Sequence, residues 1–313
     1  MKRTVEVATP GIHLHLRQKS LVLTRESSEL ARIPLEDLGT LILGSTQLTV
    51  SAALLAGIAQ AGGVTVVAGS DFQPEGALLP LRGNTTRGER IRAQIGASKP
   101  LEKQLWAALV RAKIANQAAI LCDESARSSL LKFRNGVGSG DLENKEAQAA
   151  RVYWPLVFAD EGESLIESPF RRRRDGPWPN DHLNYGYAIL RAITARAICG
   201  AGLLPEFGIH HHNRYDAFAL ASDLMEPFRP WVDLSVRSLL PLGPSEVTRE
   251  SKQALLGIYD DPVVIGSQTV PLQLAVDRTA SSLAKSFLGL HQGMSAKKAC
   301  DLLALPSFPE QAC

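Results

Sequence analysis

Residues 208–233 read GIHHHNRYDAFALASDLMEPFRPWVD. Three adjacent histidines (His210, His211, His212) precede Asp223 and Glu226, with Arg229 one turn further, all in an otherwise apolar run. Histidine nitrogen with carboxylate oxygen is a ligand set for Mg²⁺, Mn²⁺ or Zn²⁺. At i and i+3, Asp223 and Glu226 share one helical face, so their oxygens can converge on one ion. The same letters also read as a capping box, with Asp223 as N-cap and Glu226 reaching back. Three consecutive histidines cannot all face one site, so at most one or two are ligands.

Working outward, the segment ENKEAQAARVYWPLVF places Glu146, Ala149, Ala150 and Tyr153 on one helical face. A lone carboxylate on so apolar a face costs several kcal/mol if buried unpaired. Either Glu146 reaches solvent at the edge of that face, or it meets a cation. NGVGSGD (135–141) lacks the Lys-Ser/Thr pair of a phosphate loop and reads as a flexible loop with Asp141 as the next N-cap. Arg171 to Arg174 form a proline-flanked basic loop, which serves equally as a phosphate-contact patch or as a solvated charge run. Further helices are expected from Pro100 to Leu121, from Leu183 to Cys199, from Val247 to Tyr259 and from Leu272 to Leu290. On the first of these, Lys113 and Gln117 sit one turn apart and could touch a phosphate, though a solvated face is the favoured reading.

Before residue 73 the pattern is that of strands. Val5/Val7, Ile12/Leu14/Leu16 and Leu21/Leu23 alternate with polar residues, and Leu41–Leu43 and Val64–Ala68 are short apolar runs. Ser51 caps a helix that Gly62-Gly63 ends. Proline and glycine punctuate 73–88, which reads as a linker. The expected class is α+β: a β-rich domain over 1–72, an α-helical domain over 89–290 and a tail over 291–313, frayed from Pro306 onward.

The 313 residues are 45% apolar and 21% charged, with a formal charge of +2. That balance suits a globular protein of two domains and leaves any nucleic-acid contact to local clusters. Cys122, Cys199, Cys300 and Cys313 are far apart and form no CxxC pair, which argues against a zinc knuckle or disulfide framework. With neither a signal peptide nor a membrane span, the expected location is the cytoplasm.

Four segments in order, IPLEDLGTLILGS, KEAQAARVYW, LNYGYAILRA and GIHHHNRYDAFALASDLMEPFRPWVD, resemble the CRISPR adaptation integrases, the universal CRISPR-associated endonuclease family, with wording like that of type II members. The resemblance covers roughly residues 1–290. It implies a metal site formed by Glu146, His211 (three residues after Gly208) and Glu226, where many members carry Asp at the third position. Asp223 is then a supporting carboxylate or an alternative ligand, and His210 and His212 are packing or DNA-facing residues. The implied reaction is metal-dependent insertion of DNA fragments into a CRISPR array, a 3′-hydroxyl attacking a phosphodiester with Mg²⁺ or Mn²⁺ bound. Implied partners are double-stranded DNA (the incoming fragment and the repeat), a second copy of the chain, and a small adaptor protein in a heterohexamer. Cooperation with an RNA-guided effector nuclease follows from the type II wording. Arg171, Arg172, Arg173, Arg174 and Arg229 are candidate contacts to the DNA backbone. A nuclease that hydrolyses branched or single-stranded nucleic acid, and a non-enzymatic DNA-binding scaffold, are the alternatives.

Overall fold

The computed structural model describes residues 3–68, 74–78, 80, 87–159, 169–243 and 246–309. The chain divides into two compact units, residues 1–86 and 87–313.

In the first unit, β1 (Arg3–Val7), β5 (Leu38–Leu43) and β7 (Val64–Ala68) pair in parallel. β8 (Pro74–Leu78) closes that sheet antiparallel to β7. A second sheet runs in the order β4 (Ser28–Pro34), β3 (Ser20–Arg25), β2 (His13–Arg17), β6 (Thr49–Val50). Between them lies α1 (Ala52–Gln60), whose N-cap Ser51 accepts the Leu54 amide. Leu14, Leu21, Leu38 and Leu41 from the strands form the core with Leu54 and Ile58, one turn apart on α1.

Three strands of this unit, β4, β6 and β8, were not expected. β4 follows a turn at Glu26-Ser27 whose residues both have positive φ without glycine or asparagine, so the usual hairpin signal is missing. β8 lies inside the expected linker, because an edge strand tolerates its leading proline. Gly88, at the far end of the expected linker, falls inside the helix Arg87–Ile95, and Gly83 lies outside the described residues.

The second unit is mainly helical. α2 (Arg87–Ile95), α3 (Lys99–Ala119), α4 (Glu124–Gly136) and α5 (Lys145–Leu156) come first. They are followed by α6 (Asn180–Gly200), the short α7 (Ala219–Leu224), α8 (Arg229–Leu239), α9 (Arg249–Gly257), α10 (Leu272–His291) and α11 (Ala296–Cys300). Pro100 sits in the first turn of α3, and Leu101, Leu105 and Leu109 are fully buried along it. α6 and α8 approach closely at Gly186, where a Cβ would overlap Val232. Among the described residues no helix is long and apolar enough to cross a membrane.

This unit also holds a small sheet, β10 (Gln268–Pro271), β9 (Pro262–Ile265), β11 (Pro306–Ser307). The expectation of a frayed end from Pro306 is therefore corrected. Pro306 and Ser307 pair with Ile265 and Val264, and Phe308 stacks on Trp231 at 3.9 Å. Backbone pairing and one aromatic contact hold what composition alone reads as loose. Cys199 and Cys300 are free thiols, whereas Cys122 is disulfide-bonded, a link that the wide spacing did not signal.

Candidate active site

The histidine run is a loop, and its shape is dictated by one buried carboxylate. Asp223, fully buried within α7, accepts the backbone N–H of Ile209 at 2.6 Å and of His210 at 2.8 Å. The His211 amide points at the same carboxylate, 3.3 Å from Oδ1. His211 Nδ1 lies 2.5 Å from Asp223 Oδ1, and the imidazole is about half exposed. Asp223 is therefore no N-cap, and the capping-box reading fails because the loop has taken its oxygens. The contact to Nδ1 turns Nε2 of His211 outward as the nitrogen available to a ligand. Hydrogen bonding to Asp223 raises the His211 pKa, against the effect of burial.

The other histidines divide. His210 stacks on Trp106 at 4.1 Å with the rings nearly parallel, which is packing. His212 lies beside a separate cavity of about 310 Å³, whose lining includes Gln94, Lys99, Phe207 and Arg214 but none of Glu146, Asp223 or Glu226. We place the chemistry at the carboxylates, where unlike charges are brought together under cover.

Glu146 sits in the first turn of α5, where the helix dipole favours a negative charge. Asn144, in the left-handed region, caps this helix through Ala147 N–H. Asp141, expected as the cap itself, accepts the two preceding amides instead: Lys145 N–H at 2.9 Å and Glu146 N–H at 3.0 Å. The position of Glu146 is thus fixed by two side chains before it.

Glu226 opens a single 3₁₀ turn, Glu226–Phe228, ahead of α8. Asn116 on α3 donates to the Pro227 carbonyl at 2.8 Å and to the Pro306 carbonyl at 3.1 Å, pinning that turn to the C-terminal strand. The carboxylate is 4% exposed as a residue and meets two cations. Arg229 Nη2 lies 2.8 Å from Oε1, and Lys113 Nζ lies 2.6 Å from Oε2. Lys113 Nζ also lies 2.5 Å from Glu146 Oε1. Burial would raise the Glu226 pKa, but Arg229 and Lys113 bring it below the ordinary value.

Lys113 thus corrects the reading of a solvated face. Its side chain is 13% exposed, Gln117 is buried, and the ammonium bridges two of the three residues expected as ligands. Burial works against its charge, yet the paired carboxylates leave its pKa raised. The polar run Lys113, Asn116, Gln117 on α3 is visible in sequence but does not by itself distinguish this role from a solvated face.

Behind Glu226 lies a second polar layer that sequence reasoning missed. Asp233 is buried and accepts hydrogen bonds from Tyr153 Oη at 2.6 Å and from Tyr187 Oη. The Arg229 guanidinium stands 4.6 Å above the Tyr187 ring, linking this layer to Glu226. Arg229 is therefore anchored within the site. Arg172 is likewise engaged, with Asn180 at 3.0 Å and Asn184 at 2.5 Å, while Arg171, Arg173 and Arg174 are exposed.

Among the described residues, no three His, Cys, Asp or Glu side chains are drawn together tightly enough to enclose an ion by themselves. The donor chemistry nevertheless fits a hard divalent cation. Glu146 and Glu226 meet at one ammonium, their charges act on the His211 imidazole, and the buried Glu226 Oε2 has close contact with Lys113 without hydrogen-bond geometry. Glu146, His211 and Glu226 are the residues able to hold it.

A β-rich unit followed by a helical unit is the architecture of solved CRISPR-associated proteins. The Cas1 protein TM1797 from Thermotoga maritima aligns with a TM-score of 0.75 at 18% identity, over 92% of this chain and 97% of that one. A casposase bound to its integration product aligns with a TM-score of 0.71 at 17% identity, over 95% and 93%. In sequence, the family described as "CRISPR associated protein Cas1" matches residues 5–250. The chain is 34% identical over 278 residues to the CRISPR-associated endonuclease Cas1 of Neisseria meningitidis serogroup C, covering 87% of this chain and 88% of that protein. It is 30% identical over 256 residues to the corresponding protein of Hyperthermus butylicus, covering 74% of this chain and 75% of that protein. The chain belongs to the Cas1 family.

Proposed function

We propose that this protein is a metal-dependent DNA endonuclease and integrase that joins DNA fragments to a CRISPR array. The observation that carries the reading is the convergence of Glu146 and Glu226 on one ammonium beside an imidazole oriented by Asp223. The names of its relatives, endonucleases, and the integration product held by the structurally similar casposase agree with it.

In the proposed reaction the 3′-hydroxyl of an incoming fragment attacks a phosphodiester phosphorus at the repeat boundary. One P–O bond forms, the bond to the departing 3′-oxygen breaks, and that oxygen takes up the proton. One ester is exchanged for another, so neither oxidant nor protein-bound intermediate is needed. Mg²⁺ or Mn²⁺, when bound, supplies a positive charge that polarises the phosphoryl oxygen. Glu146, Glu226 and His211 would hold that ion. Asp223 fixes the ring that presents Nε2, and Arg229 holds the Glu226 carboxylate in the turn before α8. The exposed arginines Arg171, Arg173 and Arg174 position the phosphate backbone without reading sequence.

Double-stranded DNA, a second copy of the chain and a Cas2-type adaptor in a heterohexamer complete the proposed assembly. Structural neighbours described as a Cas6-RT-Cas1–Cas2 complex and as a TtCas1–DNA complex support the adaptor and the DNA. A type II effector nuclease and a cytoplasmic location complete the reading.

The test is strand transfer with labelled duplex, a repeat-bearing plasmid and Mg²⁺ or Mn²⁺, with and without the adaptor. Joined product that requires metal, Glu146, His211 and Glu226 is expected. Cleavage without joining, indifferent to adaptor, would replace the integrase by a hydrolase.

A further inference from the structure

Two carboxylates brought together under partial cover, Glu226 buried and Glu146 26% exposed, repel one another without a cation, and here a lysine separates them. Lys113 comes from α3, outside the helices and loop that supply Glu146, His211 and Glu226. Its ammonium lies 2.5 Å from Glu146 Oε1 and 2.6 Å from Glu226 Oε2. Arg229 already meets the other oxygen of Glu226 at 2.8 Å. Glu146 has Lys113 as its ion-pair partner at the cluster. The side chain is 13% exposed, so water does not screen the pair as it would at the surface.

We infer that Lys113 is an internal cation that holds Glu146 and Glu226 together in the metal-free protein and competes with the divalent ion for them. This rests on the metal reading proposed above. The same oxygens that face Nζ are those a hard cation would seek, and two positive centres at that spacing repel. Lys113 therefore sets the affinity of the site: it preserves the carboxylate geometry before metal arrives and weakens the binding that follows. It touches ligands rather than the reacting phosphate, which makes it a positioning residue. The alternative is a lysine that merely supports the fold around the carboxylates, in which case its loss weakens metal binding along with everything else.

The experiment is calorimetric titration of the metal-free full-length protein with Mn²⁺ alone, for wild type, Lys113→Met, Lys113→Gln and the double variant Glu146→Ala/Glu226→Ala. Melting curves with and without Mn²⁺ accompany each titration. Met keeps the unbranched stem and Gln keeps a polar tip, so either variant suffices if the other fails to fold. Both are expected to melt lower than wild type without metal, to bind Mn²⁺ about tenfold tighter, and to gain more in Tm at saturating Mn²⁺. Mn²⁺ affinity unchanged or reduced in the Lys113 variants, with wild type still binding, overturns the competition while leaving the metal site intact. Wild type binding no more Mn²⁺ than the double alanine variant overturns the metal reading itself and the inference with it.

Discussion

His211 Nδ1 and Asp223 Oδ1 are 2.5 Å apart, and the same carboxylate accepts the backbone amides of Ile209 and His210. One buried side chain thus sets both the path of the loop and the nitrogen it presents. Asp223→Asn keeps the shape and removes the charge. The His211 pKa, raised in the native protein chiefly by this hydrogen bond, is expected to fall toward its ordinary value. Because the folded pKa lies above the unfolded one, the pair stabilises the protein fully at acid pH and loses that contribution as pH rises through the folded value. NMR titration of the metal-free protein reads the shift, and denaturation should show a loss at low pH of about 1 kcal/mol or less, because solvent screens the half-exposed ring. An unmoved His211 titration in the variant would break the assignment.

Gly208 lies under the same loop. A Cβ there would overlap the His211 carbonyl and come within 3.0 Å of Asp223 Oδ2. Gly208→Ala is therefore expected to displace His211 and abolish strand transfer, at a stability cost of about 1–3 kcal/mol. Full activity in that variant would show that the loop is free to reshape around an added methyl group.

Much of this arrangement is legible in the letters, and what is not is hidden for a physical reason. Alternation located β1, β2 and β3, short apolar runs located β5 and β7, and Ser51 located α1, because those signals are local. Asp223 and Glu226 stood out by their spacing, whereas Glu146 and His211 were singled out as ligands only by the resemblance to the family. Lys113 stood out by neither, since a lysine on a helix faces water by default and only the packing of α3 against α5 and the Glu226 turn reverses that. Asn116 and Asp233 were hidden for the same reason: their partners are more than 40 residues away in sequence. The seating of Phe308 on Trp231 depends on an equally distant strand pairing.

Burial pushes the Asp233 carboxyl up to about 6, even though Tyr153 and Tyr187 donate to its charged form. With a folded pKa above the unfolded one, the folded state holds the extra proton, so this group's contribution to stability falls as pH rises from about 4 to above 6. Asp233→Asn removes that dependence. The difference in stability between wild type and variant is expected to change by roughly 3 kcal/mol across the window, moving in favour of the variant as pH rises. Urea denaturation at a series of pH values checks it, and parallel stability curves for the two proteins would contradict it.

The basic loop is expected to separate by burial. Arg171→Ala, Arg173→Ala and Arg174→Ala together should weaken duplex DNA binding at low salt. They should also reduce the slope of log K against log salt by up to about 0.9 for each phosphate that is no longer neutralised. Arg172→Ala should lower Tm, because its guanidinium is tied to Asn180 and Asn184. Binding measured across a salt series, with melting curves for each variant, distinguishes the two roles. Equal loss of stability in all four would mean that the loop is structural throughout.

The C-terminal strand reaches the site through Asn116, which holds the Pro227 and Pro306 carbonyls together one turn from Lys113 on α3. Phe308→Ala removes the stack on Trp231 and is expected to cost about 1–3 kcal/mol. If the strand only adds stability, the variant keeps wild-type strand transfer at a temperature where both proteins are folded. The geometry predicts otherwise. Once the strand loosens, Asn116 loses one of its two acceptors and the Glu226 turn gains freedom, so strand transfer should fall severalfold under conditions where circular dichroism shows no unfolding. Asn116→Asp, which loses both donated hydrogen bonds without changing volume, should produce the same fall with Phe308 in place. Activity retained in both variants would confine the strand to a stabilising role.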